Sequence, residues 1–156
     1  MNTGMFTSKT YEWETPKWLY DQLNKEYGPF ILDPCATKEN AKCKKYYTRQ
    51  EDGLKQKWHG RVFVNPPYGR EIGKWIKKAY ESAGQNALIV CLIPARTDTR
   101  WWHDYVMKGK VRFIRGRLRF GGSKNHAPFP SAIVVFGEQK YVWNKTKRYG
   151  RIQGKC

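Results

Sequence analysis

The stretch Val62-Phe63-Val64-Asn65-Pro66-Pro67-Tyr68-Gly69 is the point about which the chain is organised. A short β-branched and aromatic run predicts a buried strand, and Asn-Pro-Pro-Tyr-Gly ends it abruptly. Two consecutive prolines lack backbone N–H groups and have fixed φ, so neither a helix nor a central strand continues through them. The chain therefore leaves the sheet as a stiff loop with Asn65 and Tyr68 at its ends. Open α/β sheets place ligands at such turns, beyond the carboxyl ends of strands. An ordinary strand-ending turn with a packed tyrosine would explain a bare Pro-Pro, but it explains Asn-Pro-Pro-Tyr less well.

Upstream, Phe30-Ile31-Leu32 predicts another short strand, ending in Asp33-Pro34-Cys35-Ala36. Before it, Thr15 as N-cap and Pro16 at the first helical position open a helix. Trp18, Leu19, Leu23 and Tyr27 recur at helical spacing, and Gly28-Pro29 stops the run. Residues 38–58 are polar; Tyr46-Tyr47 is a candidate strand and Glu51-Asp52-Gly53 a turn.

Downstream, Ile72, Trp75, Ile76, Ala79, Tyr80 and Ala83 mark an amphipathic helix capped by Gly84. Residues 87–93 form a continuous apolar run, expected of a strand buried on both faces. Thr97 or Asp98 is then expected to cap a helix containing Trp101, Trp102, Tyr105 and Val106. Residues 110–114 and 117–120 read as two strands across Arg115-Gly116, and residues 132–136 as a last strand after a Gly/Pro-rich loop at 121–130. Early strand–helix alternation and a late cluster of strands predict an α/β fold with a mixed sheet and helices on both faces.

At 156 residues the chain suits one domain with its own core. The four cysteines show no CxxC pairing and no His-Cys ligand cluster, so no metal is expected, and no apolar run approaches a membrane span. Reduced thiols in a cytoplasmic compartment are the simplest account. The net charge is +17, from 30 basic and 13 acidic residues. After Asp104 there are 13 basic residues and one acid, Glu138, a net +12; the preceding residues carry the other +5. That asymmetry predicts a polyanionic partner and salt-sensitive binding. Charge alone does not choose between nucleic acid and another anionic surface.

The loop tips Thr15-Pro16, Asp33-Pro34-Cys35-Ala36 and Asn65-Pro66-Pro67-Tyr68 resemble those of amino-methyltransferases that use S-adenosylmethionine. The order from Trp-Glu-Thr-Pro through Gly-Arg-Leu-Arg-Phe to Phe-Pro-Ser is similar to small phage-type DNA adenine methyltransferases, over roughly residues 11–137. The resemblance implies a single-domain, Rossmann-like methyltransferase fold with a mixed, mostly parallel sheet flanked by helices. It divides the chain into a flexible arm (1–12), a methyltransferase domain (13–137) and a basic tail (138–156).

By the same resemblance the catalytic residues are Asn65, Pro66, Pro67 and Tyr68. The Asn65 side-chain oxygen and the Pro66 carbonyl would accept hydrogen bonds from the target amino group. Tyr68 would stack on a base flipped out of the duplex. Trp13, Thr15, Pro16, Asp33, Pro34, Cys35, Ala36 and Asp52 are expected around S-adenosylmethionine, with Thr15 and Pro16 at its carboxylate end. Simpler roles stand beside these: a helix cap for Thr15 and turn-forming carboxylates for Asp33 and Asp52. Asp33-Pro34-Cys35-Ala36-Thr37 holds no glycine, unlike the glycine-rich loop of larger methyltransferases, so a trimmed cofactor pocket is expected.

For DNA, the expected contacts are Arg96, Arg112, Arg115, Arg117, Arg119 and Lys124, and Lys145, Lys147 and Arg148 in the tail. Lys110, Arg112, Arg115, Arg117 and Arg119 alternate with apolar residues, which predicts one basic face and one apolar face. Cytosine, RNA or a protein amide as acceptor, and a catalytically inactive nucleic-acid-binding relative, remain alternatives.

Overall fold

In the computed structural model, which describes residues 13–84, 86–137 and 152–153, helix α1 (Lys17–Tyr27) leads into strand β1 (Leu32–Asp33). Strand β2 (Lys45–Tyr46) and a 3₁₀ turn (Gly53–Lys55) precede β3 (Gly60–Val64), which ends at the Asn-Pro-Pro loop. Helix α2 (Ile72–Ala83), strand β4 (Ala87–Pro94), the short helix α3 (Arg100–Asp104) and a 3₁₀ turn (Val106–Lys108) follow. The sheet is completed by β5 (Lys110–Arg115), β6 (Ser131–Phe136) and the two-residue β7 (Ile152–Gln153). The strand order is β2-β1-β3-β4-β6-β5-β7. β2, β1, β3 and β4 run parallel, β6 is antiparallel to both β4 and β5, and β7 pairs parallel with β5. This is the expected Rossmann-like α/β arrangement.

The period-two alternation of the strands builds a core on each face of the sheet. Val62 and Val64 of β3, with Ile89, Cys91 and Ile93 of β4, pack against Trp75, Ile76 and Ala79 of α2 and Trp102 of α3. Phe63, Leu88, Val90 and Leu92 point the other way, onto Leu19, Leu23 and Tyr27 of α1 and onto Leu118 and Phe120. Every residue of β4 is buried, as its unbroken apolar run requires.

Strand connections reverse direction between β1 and β3. From β1 the chain moves outward to β2, and from β3 it moves the other way to β4. Their carboxyl ends, Asp33 and Val64, therefore border the crevice where such sheets bind ligands. Among the described residues, no α-helix links β1 to β3; turns, β2 and one 3₁₀ turn make the connection.

Four local expectations change. Helix α1 starts at Lys17, because Pro16, with an extended ψ of 135°, takes the N-cap position in place of Thr15. Thr99, rather than Thr97 or Asp98, caps α3 by accepting the Trp102 N–H at 3.3 Å. Residues 117–120 join no ladder, although they keep the predicted alternation: Leu118 and Phe120 are buried while Arg117 and Arg119 are exposed. In β5 the expectation is reversed at Arg112 and Phe113, while Ile114 is buried and Arg115 exposed as predicted.

Arg112 lies on the core side, 2.7 Å from Glu26 Oε2 and 3.2 Å from the Tyr27 hydroxyl, while Phe113 is 61% exposed. The cause is the partner across the sheet. Glu26 and Tyr27 at the end of α1 give a guanidinium on that face an acid and a hydroxyl. Phe113 finds the Trp102 ring on the other, at 6.3 Å and 24°. Arg112 thus leaves the set of residues expected to meet DNA.

Because removing one partner of a buried ion pair strands the other, Arg112→Ala should cost about 3 kcal/mol, read as a lower urea midpoint. A midpoint equal to that of the unsubstituted chain would show the pair to be energetically idle.

Candidate active site

Three segments meet at the crevice. The Asn-Pro-Pro-Tyr loop leaves β3, the Asp-Pro-Cys-Ala loop leaves β1, and Trp13-Glu14-Thr15 crosses the same sheet edge before α1. The Asn65 amide nitrogen donates to the Trp13 carbonyl at 2.6 Å and to the Thr15 hydroxyl oxygen at 3.0 Å. Glu14 pairs with Lys42 at 3.1 Å, and its carbonyl accepts the Gly121 N–H at 2.8 Å. Both bonds tie this entry segment to the flanking loops.

Asn65 Oδ1 is buried without a hydrogen-bond partner. The orientation of the amide is set chemically, because the Trp13 carbonyl can only accept and must face the NH₂ group. A buried acceptor left unpaired costs about 1–3 kcal/mol, so a group of this kind marks a place where a ligand donor is expected. Among the described residues the other such atom is Ser131 Oγ, at the start of β6 on the same sheet edge.

Pro66 is buried and Pro67 exposed, so the loop turns outward after Pro66. The Tyr68 hydroxyl donates to the Leu92 carbonyl at 3.0 Å, and burial pushes the phenol well above its ordinary pKa. Its ring lies 6.3 Å from Trp13 at 22°, and meets Phe120 and Phe129 edge-on at 6.1 and 5.6 Å. Phe120 and Phe129 were not foreseen as part of the site. The available signal was the apolar phase within an arginine-rich run and the Phe-Pro that closes the loop.

In the β1 loop, Asp33 is 4% exposed. Its two carboxylate oxygens accept the backbone N–H of Cys35 at 3.3 Å and of Lys42 at 3.1 Å. Burial pushes its carboxyl up to about 6, against the opposing pull of those hydrogen bonds and of the Lys42 charge. Burial likewise raises the Cys35 thiol far above its ordinary value. Asp33 therefore does the turn-forming work foreseen for it and holds the loop's shape.

Asp52 is reached from the other side. A Cβ on Gly53 would stand 2.0 Å from the Pro34 carbonyl oxygen, so only glycine lets this turn lie on the β1 loop. Asp52, at φ 53°, caps the following turn by accepting the Leu54 N–H at 3.2 Å. The structure thus joins Trp13 and Thr15 to Asn65 directly, ties Asp33 to Cys35 within the β1 loop, and sets Gly53, beside Asp52, against Pro34.

Arg96, Arg115, Arg117, Arg119 and Lys124 are exposed. Arg96 follows β4, and β5 runs parallel to β4, so Arg115 and the loop after it lie at the same edge as Asn65. Lys145, Lys147 and Arg148, like the arm at 1–12, fall outside the described residues. Among the described residues no group of three His, Cys, Asp or Glu could hold a metal, and no helix is long and apolar enough to cross a membrane.

Comparison with known proteins places this geometry in context. A profile of the DNA N-6-adenine-methyltransferase (Dam) family matches residues 3–144. A DNA N-6-adenine-methyltransferase of Haemophilus phage HP1 is 29% identical over 146 residues, covering 86% of this chain and 83% of that protein. One of Escherichia phage T1 is 37% identical over 94 residues, covering 59% of this chain and 39% of that protein.

Asp33 yields a pH signature. Its folded-state value near 6 lies above the ordinary 3.8, so the folded protein holds this proton more tightly than the unfolded chain. The associated stability is fully present below about pH 4 and is lost as pH rises through about 6, amounting to about 3 kcal/mol. Unfolding free energies measured across this window should fall with pH more steeply in the unsubstituted chain than in Asp33→Asn. Parallel profiles would contradict the assignment.

Proposed function

The chain belongs to the DNA N-6-adenine-methyltransferase family, and from there we propose that it transfers a methyl group from S-adenosylmethionine to the N6 amino group of adenine in DNA. The observation that carries this reading is the buried, unpaired Asn65 Oδ1. An exocyclic amino group is a poor nucleophile because its lone pair is delocalised into the ring. Hydrogen bonds from its two N–H groups to Asn65 Oδ1 and the Pro66 carbonyl aim that lone pair away from the ring plane. Both acceptors sit on a loop that two prolines hold rigid, so catalysis is chiefly positioning with electrostatic support.

The cofactor, when bound, supplies an electrophilic methyl group on a sulfonium. The β1 loop, with Pro34 buried and Cys35 half-buried beside the core around Tyr68, would form one wall of its pocket, and Asp52 the rim. The short β1–β3 connection makes that wall thin, in keeping with the trimmed pocket expected from the missing glycines. Tyr68, fixed through Leu92, offers a ring against which the flipped adenine stacks. Arg96, Arg115, Arg117, Arg119 and Lys124 meet the phosphate backbone, with Lys145, Lys147 and Arg148 assigned to it on charge alone.

Incubation with labelled cofactor and DNA, followed by digestion to nucleosides, should place the label in methyladenine. Label in methylcytosine would change the acceptor, and DNA binding without any label would make the chain an inactive relative. Asn65→Ala should lower transfer by at least about a hundred-fold with DNA affinity within a few-fold. Wild-type activity in that variant would remove Asn65 from the mechanism. Replacing Arg115, Arg117 and Arg119 together by alanine should weaken DNA binding and flatten its salt dependence by about one unit of slope per lost contact; an unchanged slope would exclude them.

A further inference from the structure

Thr15 is 3% exposed and lies one residue before the N-cap of α1, which is Pro16 and not Thr15 as the sequence suggests. Its hydroxyl instead accepts the Asn65 amide at 3.0 Å, from a position that Pro16 stiffens on the carboxyl side. We propose that Thr15 is a positioning residue for Asn65, acting with the Trp13 carbonyl to hold the amide so that Oδ1 is its free atom. The inference rests on the methyl-transfer reading of the site.

An asparagine amide has two nearly isosteric orientations that exchange its oxygen and nitrogen. Only one of them presents an acceptor to an amino group. The Trp13 carbonyl, at 2.6 Å, decides the sense, because an oxygen turned toward it would meet lone pairs alone. Thr15 takes the second amide hydrogen. With both N–H groups engaged, the carboxamide plane is held at two points, and Oδ1 is left buried and unpaired. A carboxylate at this position could still accept from the Thr15 hydroxyl but would set its lone pairs against those of the Trp13 carbonyl. The Trp13 carbonyl is therefore what favours an asparagine over its acidic counterpart.

This role differs from the one the resemblance implies, in which Thr15 contacts the carboxylate end of the cofactor. The two make opposite predictions for the same substitution. Thr15→Val keeps the side-chain shape and removes the oxygen, and Thr15→Ser keeps the oxygen. If Thr15 acts through Asn65, Thr15→Val should lower kcat about ten-fold while the Kd of S-adenosylhomocysteine, measured by calorimetry, stays within about two-fold. Thr15→Ser should restore kcat to within about two-fold of wild type.

The Asn65 side-chain amide provides a readout that needs no turnover. In the protein without ligands, its N–H exchange by NMR should quicken in Thr15→Val and stay protected in Thr15→Ser. A raised Kd for S-adenosylhomocysteine with unchanged kcat and unchanged exchange would overturn the proposal in favour of a cofactor contact. If the wild-type chain methylates no adenine, the functional reading fails, and amide exchange still decides whether Thr15 holds Asn65.

Discussion

Two hydrogen bonds from the Asn65 amide, to the Trp13 carbonyl and the Thr15 hydroxyl, join segments about fifty residues apart in sequence. They fix the entry to α1 against the end of β3, and much of the site's geometry follows. With Trp13 held there, its ring packs on Tyr68, Phe120 and Phe129. With Glu14 held there, its carboxylate reaches Lys42, whose backbone N–H supports the Asp33 carboxylate. One buried amide thus connects the loop after β3 to the loop after β1. The connection leaves one polar atom, Asn65 Oδ1, without a partner, which is the kind of local cost that functional sites retain.

The sheet supplies the rigidity that makes such a constraint useful. β3 and β4 pair over their shared length and carry cores on both faces, so Asn65 projects from the best-supported part of the molecule. The β1–β2 edge is slight by contrast, with two paired residues in each strand. Asp33 compensates locally by capping two backbone N–H groups, and Gly53 allows the neighbouring turn to close on Pro34. A thin but well-bonded wall on one side of the crevice and a packed aromatic cluster on the other is the arrangement that results.

Charge is distributed by the same logic. Arginines that follow the turn at Gly116 are pushed outward because Leu118 and Phe120 take the inner positions. Arg112, one strand earlier, is drawn inward by Glu26 and the Tyr27 hydroxyl and contributes to packing instead. The exposed basic residues at the sheet edge of Asn65 therefore come from the last residue of β5, Arg115, the β5–β6 connection and the residue after β4, while Arg112 within β5 does not contribute.

By itself the sequence determined what depends on local chemistry and on unambiguous hydrophobic period. Pro66-Pro67 had to end a strand, residues 87–93 had to be a buried one, and Ile72 through Ala83 had to form an amphipathic helix. All three hold in the structure. The shared sheet edge of the Asp33 and Asn65 loops was also legible, since both follow strands that run parallel. Tertiary structure alone decided the phase of β5, because Arg112 and Phe113 alternate in either sense and the partner on α1 selects one. It also moved Thr15 from helix capping to Asn65, because a buried amide 50 positions away competes for its hydroxyl. Phe120 and Phe129 joined Tyr68 for the same reason: ring contacts depend on which loops fold back across the sheet, and no local pattern encodes that.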